Sequence, residues 1–155
     1  MSLKSLCALV ALCAVVPIKT SGAQDKQASV ASSDRAAVIA AGRDYIEGFY
    51  EGDTVKLARA LRSDMSKYGF WRDSTGKYDG ERMTYAEALT YAKNVKVRNR
   101  PVQASWPKDV TVFEIQDQTA SAKVTAWWGT DYLLLGKYDG KWKISDILWQ
   151  GPPKR

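Results

Sequence analysis

Residues 120–149 read ASAKVTAWWGTDYLLLGKYDGKWKISDILW, and this stretch decides the fold. Asp139-Gly140 stands between two apolar-rich runs. That arrangement is the strongest short-range signal for a β-hairpin, because a type I′ turn needs positive φ at both central residues. Gly129-Thr130 can form the preceding turn, with Gly at the first central position of a type II′ loop. The stretch therefore predicts consecutive antiparallel strands joined by tight turns.

The position of each turn fixes which residues face each other. A loop at Asp139-Gly140 pairs Leu133 with Asp146 and Asp131 with Leu148. Directly opposed residues share a face of the sheet, and both turns predict the same inner face. Besides Asp131 and Asp146, that face should hold the apolar residues Ala122, Val124, Ala126, Trp128, Leu133, Leu135, Trp142, Ile144 and Leu148.

The chain ahead of this stretch predicts mainly helices. The first helix should begin near Ser33 or Asp34, and Asp53 should cap a shorter second helix. A capping box from Thr84 to Glu87 predicts the start of a third helix. Short strands are expected over residues 67–72 and 109–116, the latter with Phe113 and Ile115 facing inward. This order predicts an α+β domain over residues 34–150, with about three helices packed on a curved antiparallel sheet.

The N-terminal segment has the pattern of a secretory signal peptide. Lys4 gives a positive start, residues 6–16 are apolar but too short to span a bilayer, and Ser21-Gly22-Ala23 supplies small residues for cleavage after Ala23. We expect residues 1–23 to be removed, residues 24–33 to form a flexible lead-in and residues 151–155 to form a tail. The protein is then predicted to be secreted or periplasmic, without membrane association after cleavage.

Composition excludes several chemistries. The chain has no histidine, and its only cysteines, Cys7 and Cys13, lie in the predicted signal peptide. Histidine-based triads, thiolate nucleophiles and cysteine-ligated metals are therefore excluded, and we predict neither a cofactor nor a metal site. Loss of Lys4 and Lys19 lowers the net charge from +6 to +4, which is too mild to indicate nucleic acid as a partner.

Three segments carry a resemblance to a known family. They are YIEGFYEGD at 45–53, LARALRSD at 57–64 and DYLLLGKYDGKWKI at 131–144. They resemble the NTF2-like (cystatin-like, α+β cone) superfamily, and within it the SnoaL-like and "putative lumazine-binding" small proteins. The resemblance covers residues 34–150 and implies a cone with a small-molecule cavity. Where the family often has His-Pro-Asp, this chain has Arg62-Ser63-Asp64, so a His-Asp dyad is not implied.

Candidate catalytic residues come from the predicted register. Asp131 and Asp146 should be diagonal neighbours on the inner face, where desolvation and mutual repulsion would raise the pKa of at least one carboxyl. Such a pair could act as general acid and base without histidine. The alternative is structural, with Asp131 at a wet rim of the sheet and Asp146 paired with a cation or with backbone donors.

Aromatic residues suggest a ligand cavity and an interface. Candidate ligand-binding residues are Tyr45, Phe49, Trp71 and Trp128, and the alternative is that the tryptophans belong to the core, where such residues are more often found. The outer face should expose a patch of Trp127, Tyr132, Ile147 and Trp149. Since exposed apolar patches usually mark interfaces, and since the resemblance implies it too, we predict a homodimer through that patch.

The function predicted from these observations is an exported NTF2-like domain that binds a small, partly apolar ligand or serves as an accessory module, with no demonstrated catalysis. The alternative is a small-molecule isomerase, cyclase or hydrolase using Asp131 and Asp146. A third hypothesis is a purely structural dimer, which predicts a filled cone without a cavity. Ligand identity stays open, because a fold of this kind hosts many functions.

Overall fold

The computed structural model describes residues 21–99 and 101–153. These residues form an α+β domain, which confirms the predicted class. Its helices are α1 (Ser21–Glu51), α2 (Thr54–Ala60) and α3 (Tyr85–Arg98). Its strands are β1 (Leu61–Arg72), β2 (Tyr78–Met83), β3 (Asp109–Ile115), β4 (Thr119–Ala126), β5 (Gly129–Tyr138) and β6 (Lys141–Gln150). Most of the predicted signal peptide, residues 1–20, and the end of the predicted tail, residues 154–155, lie outside the described residues.

The strands form one mixed sheet in the order β2-β1-β6-β5-β4-β3. Neighbouring strands are antiparallel except β1 and β6, which pair in parallel. The prediction of a wholly antiparallel sheet was therefore wrong at this pair, because β1 returns from the helices to the middle of the sheet. Strand β2 was not predicted, since Tyr78–Met83 lies on a sheet edge where most of its residues are exposed and its sequence shows no apolar alternation.

Helix α1 begins earlier than predicted, at Ser21 rather than near Ser33 or Asp34. Residues 28–33 are exposed on it, whereas Asp34 is buried. Asp34 Oδ1 accepts hydrogen bonds from Lys137 Nζ at 2.7 Å and from Trp142 Nε1 at 3.0 Å. Asp34 thus ties α1 to strands β5 and β6. Within the part of the chain that is described, no helix combines the length and apolar character needed to cross a bilayer.

The N-terminal caps of α2 and α3 are the residues predicted from the sequence. Asp53 accepts hydrogen bonds from the backbone N–H groups of Val55 and Lys56 at the start of α2. Thr84 and Glu87 form the predicted capping box at the start of α3, which runs to Arg98. These are local interactions, so a few neighbouring residues suffice to specify them.

The β4–β5 turn lies two residues earlier than predicted. Trp127-Trp128 forms the loop, and Ala126 pairs with Gly129. Gly129 has φ +135 and lies so close to the carbonyl of Gln150 that a side chain could not be accommodated. The glycine is therefore required by the approach of β6 rather than by the turn. A shift of two residues preserves the alternation of faces, so Ala122, Val124, Ala126 and Leu133 remain on the inner face and are buried.

A bulge in β6 reverses the faces of its C-terminal half. Leu135 pairs with Ile144, but Leu134 pairs with Asp146, which leaves Ser145 as the extra residue. Beyond it Ile147 faces the core at 4% exposure, whereas Leu148 is 51% exposed on the outer face. The prediction of Leu148 as an inner residue was therefore wrong. Without the bulge the core would gain the Asp146 carboxylate instead of Ile147, and burying a charge without a partner is costly.

Strand β3 contains a similar irregularity. The register shifts between Val112 and Glu114, so Val112 is buried and Phe113 is exposed. The predicted inward orientation of Phe113 was therefore wrong, while Ile115 is half-buried against the core. In both strands, the extra residue of a bulge breaks the period-two pattern on which the prediction depended.

Candidate functional site

A cleft of about 480 Å³ opens between α1, α3, β1, β2 and the β4–β5 turn. We call it the aromatic cleft. Its aromatic lining residues are Phe49, Tyr50, Tyr91, Trp106, Trp127, Trp128 and Trp149. The polar side chains among its lining residues are Lys67, Glu81, Arg98 and Gln103. A mostly apolar cavity with a few polar groups is the usual form of a small-molecule site.

One wall of the aromatic cleft is built by aromatic rings held in fixed contact. The ring of Tyr50 lies 5.0 Å from that of Trp106 and 5.2 Å from that of Trp128, centroid to centroid. The Tyr50 hydroxyl donates to the Pro107 carbonyl at 2.6 Å and accepts from the backbone N–H of Trp127 at 2.9 Å. Burial raises the pKa of Tyr50, so the neutral hydroxyl keeps both bonds at neutral pH. The β4–β5 turn is thereby tied to α1.

Lys67 supplies the cationic group at the floor of the aromatic cleft. Only 7% of this side chain is exposed. Its Nζ donates to the Tyr45 hydroxyl at 2.6 Å and to Asp131 Oδ1 at 3.4 Å. A lysine ammonium has three protons, and residues 21–99 and 101–153 offer no acceptor for the third. The side chain that lines the cleft therefore retains a donor for a ligand.

Asp131 lies behind Lys67 and is completely buried. Its Oδ1 accepts a hydrogen bond of 2.9 Å from the Tyr45 hydroxyl, and its Oδ2 accepts one of 2.7 Å from Trp128 Nε1. Neither Asp131 nor Tyr45 lines the aromatic cleft. These two residues therefore hold Lys67 and Trp128 in place and do not themselves contact the space where a ligand would lie.

The surroundings of Lys67 disfavour its charged form. Burial lowers the pKa of Lys67, and the nearby Asp131 carboxylate opposes that effect only in part. The rings of Tyr45 and Phe49 each lie 5.2 Å from Nζ and attract a cation, so they also act against the effect of burial. Burial, together with the Asp131 charge, raises the pKa of Tyr45 well above its usual range. Tyr45 is therefore a neutral hydroxyl that can donate to Asp131 while it accepts from Lys67.

The predicted pair of Asp131 and Asp146 does not form. The β6 bulge turns Asp146 to the outer face, where it is exposed, while Asp131 is buried on the inner face. The general acid–base pair was therefore a wrong prediction, because it depended on an uninterrupted β6 register. No group of three or more metal-ligating side chains lies together within residues 21–99 and 101–153.

The predicted ligand-binding residues divide into three groups. Phe49 and Trp128 line the aromatic cleft, whereas Tyr45 lies directly behind it. Trp71 is 39% exposed near the C-terminal end of β1 and does not line the cleft. Its placement among the cavity residues was therefore wrong.

Lys67 and Trp149 were missed as cleft residues. In β1 the buried positions Met65, Lys67 and Gly69 alternate, and that spacing could have placed the lysine on the inner face. The indole of Trp149 occupies the position that a side chain on Gly69 would need, so the glycine admits this ring to the cleft.

The match to a family decides the classification. The family model described as "Putative lumazine-binding" matches residues 33–150. The chain belongs to this family of NTF2-like proteins. Its predicted membership in the NTF2-like superfamily is thereby confirmed. A comparison with curated proteins gave no match.

Solved structures of NTF2-like proteins share the fold. One from Novosphingobium aromaticivorans, with a cystatin-like fold, is 10% identical over 88% of this chain and 94% of its own, with a TM-score of 0.63. One of unknown function from Silicibacter pomeroyi is 16% identical over 79% and 98%, with a TM-score of 0.61. Another of unknown function, from Shewanella baltica, is 19% identical over 79% and 97%, with a TM-score of 0.57. At these identities the similarity shows the fold alone.

Proposed function

We propose that this NTF2-like domain binds a small, planar, partly apolar ligand in the aromatic cleft and acts as a binding or accessory module. The observation that carries the proposal is the buried Lys67 amine, which presents a free donor at the floor of an aromatic-lined cleft. Flat rings can pack against the edge-to-face aromatic wall. A ligand acceptor atom facing Lys67 would fix its orientation.

The size and chemistry of the aromatic cleft support this proposal. A volume of about 480 Å³ lies in the usual range for small-molecule sites. Glu81 and Arg98 lie among the lining residues and can contact polar substituents of the ligand. A filled cone, as the purely structural hypothesis requires, would leave no such space. Lumazine, the bicyclic heteroaromatic for which the family is named, is a suitable first probe.

Isothermal titration calorimetry with lumazine and related bicyclic heteroaromatics tests the proposal. The chain offers a matched pair of exposed tryptophans, since Trp127 lines the aromatic cleft and Trp71 does not. We expect Trp127→Ala to weaken binding roughly tenfold, which corresponds to about 1.4 kcal/mol, and Trp71→Ala to leave it unchanged. Equal losses in both variants, or the absence of saturable binding across the probe series, would contradict the proposal.

We also propose that two copies of the chain pair through the outer face of the sheet. The predicted patch changes in composition: Ile147 is buried, while Trp127 and Trp149 line the aromatic cleft. Tyr132 remains exposed, and it pairs with Leu148 across β5 and β6. We call the exposed residues Phe70, Tyr132, Leu134 and Leu148 the outer patch. Its apolar character supports a self-complementary interface.

We further propose that the protein is exported and processed after Ala23. Support comes from the sequence of residues 1–23, which has a basic start, an apolar run and a small-residue cleavage site. Edman sequencing of the protein recovered from the periplasm or the medium should begin at Gln24. Recovery only from the cytoplasm with Met1 or Ser2 at the N-terminus would contradict export.

A further inference from the structure

We propose that Lys67 is a covalent site whose ε-amine condenses with the carbonyl group of an aromatic aldehyde or ketone bound in the aromatic cleft. This inference rests on the proposed function, because the carbonyl compound must first occupy the cleft. It adds to that function a ligand class, aromatic carbonyl compounds, and a covalent bond to Nζ. The product is an imine, or Schiff base, between Nζ and the ligand.

The Lys67 amine is positioned to meet a ligand in the aromatic cleft. The Lys67 amine lies among cleft-lining residues although its side chain is almost completely buried, and it is the only lysine among those residues. Hydrogen bonds to Tyr45 and Asp131 hold it from behind. A nucleophile fixed at the floor of a confined apolar site needs little reorganisation when a ligand arrives.

The surroundings of the Lys67 amine favour its neutral, nucleophilic form. Only a neutral amine attacks a carbonyl, and an ordinary lysine is neutral in about one molecule in 2,500 at pH 7. The charged groups near Lys67 are the carboxylates of Asp131 and Glu81, which favour the ammonium, while burial outweighs them and lowers the pKa. Lysines activated by an apolar site are the usual source of Schiff-base nucleophiles.

The two protons of the neutral Lys67 amine balance the condensation. The Nζ lone pair forms a bond to the carbonyl carbon, and the C–O π electrons move to the oxygen. Transfer of one proton from nitrogen to that oxygen gives the carbinolamine. The nitrogen lone pair then forms the C=N bond as the C–O bond breaks, and the second amine proton passes to the departing oxygen, which leaves as water. Tyr45 and Asp131 lie behind Lys67 and hold Nζ in position during both transfers.

The walls define the class of carbonyl compound. Phe49 and Trp149 each place a ring within 5.2 and 5.6 Å of the amine, so a group bonded to Nζ must lie against aromatic surfaces. An aryl aldehyde satisfies this requirement and also conjugates with the imine. An aliphatic hydroxyaldehyde would lose the solvation of its hydroxyl groups in the apolar cleft without gaining equivalent partners.

Reductive trapping of the full-length protein tests the inference. The probe is 2-naphthaldehyde with sodium cyanoborohydride, followed by peptide mapping by mass spectrometry. We expect an adduct at Lys67 roughly tenfold above that at any exposed lysine, because the aromatic cleft holds the aldehyde beside Nζ and the lowered pKa leaves more of the amine neutral. Lys67→Met should lose this adduct, whereas Lys141→Met, at an exposed lysine, should retain it.

Binding without covalent chemistry is measured separately, by tryptophan quenching with 2-naphthalenemethanol, which lacks a carbonyl. Saturable quenching by this alcohol, combined with no preference for Lys67 in trapping, would overturn the covalent site and leave the proposed binding function standing. Absence of both quenching and adduct would overturn both proposals. Mapping on the wild-type chain decides the outcome even where Lys67→Met fails to fold.

Discussion

The Tyr45 hydroxyl donates a hydrogen bond of 2.9 Å to Oδ1 of Asp131, and both side chains are completely buried. This bond joins the C-terminal half of α1 to the N-terminal part of β5. It also positions the group that accepts from Lys67, since the Tyr45 oxygen lies 2.6 Å from Nζ. Helix α1, strands β1 and β5 and the floor of the aromatic cleft are therefore coupled through one oxygen atom.

The two acidic residues predicted as a pair should respond differently to amidation. Asp131→Asn replaces one carboxylate oxygen by an NH2 group that cannot accept from its present donors, so we expect a loss of about 3 kcal/mol in the free energy of unfolding. Asp146→Asn is the matched control, and its exposed site predicts a change within about 0.5 kcal/mol. Urea unfolding followed by fluorescence measures both. Equal effects would show that the Asp131 network does not stabilise the fold.

The stability contributed by Lys67 should depend on pH with a defined sign. Because its folded-state pKa lies below the ordinary value of 10.5, the unfolded chain binds the proton more tightly between the two pKa values. Unfolding therefore becomes less favourable as the pH rises through that window. The stability of the wild type relative to Lys67→Met should increase as the pH rises through the window between the lowered folded-state pKa and 10.5.

Urea unfolding across this pH range measures the dependence on Lys67. Lys141→Met serves as the control for the removal of a lysine side chain from the surface. A wild-type advantage over Lys67→Met that falls with rising pH would mean that Asp131 and Glu81 outweigh burial.

Gly69 should tolerate a side chain only when Trp149 is absent. The indole of Trp149 overlaps the position of a Cβ on Gly69, so Gly69→Ala must displace the ring and should cost about 1–3 kcal/mol. In a Trp149→Ala background the same change should cost much less, which gives a coupling energy in a double-mutant cycle. Additive effects of the two substitutions would show that the ring and the glycine are independent.

The outer patch should control association. Leu148→Glu places a charge at the centre of the proposed contact, and we expect it to convert a dimer into a monomer. Val97→Glu is the control, because Val97 is an exposed apolar residue on α3, away from the outer face of the sheet. Analytical ultracentrifugation reports the mass of each. A wild-type protein that is monomeric at high concentration would contradict the dimer.

Local signals in the sequence predicted much of the fold and little of the site. The Asp139-Gly140 turn, with φ +50 and +73, and the caps at Asp53 and Thr84 lie where they were predicted. The candidate carboxylate pair failed because a single extra residue, Ser145, changes the face of Asp146. The lysine in the site was not predicted, since a charged side chain is usually assigned to solvent unless its buried partner is known.

The sequence by itself determined the α+β class, the helix starts at α2 and α3, the β5–β6 hairpin and the family. Each of these depends on residues that are close along the chain or on a pattern that runs through it. Only the tertiary structure decided the β4–β5 turn, the β6 bulge and the contact of Lys67 with Asp131, which are 64 residues apart. The physical reason is that turn position, bulges and buried charges are selected by packing between distant segments, where the energy of one partner depends on the other.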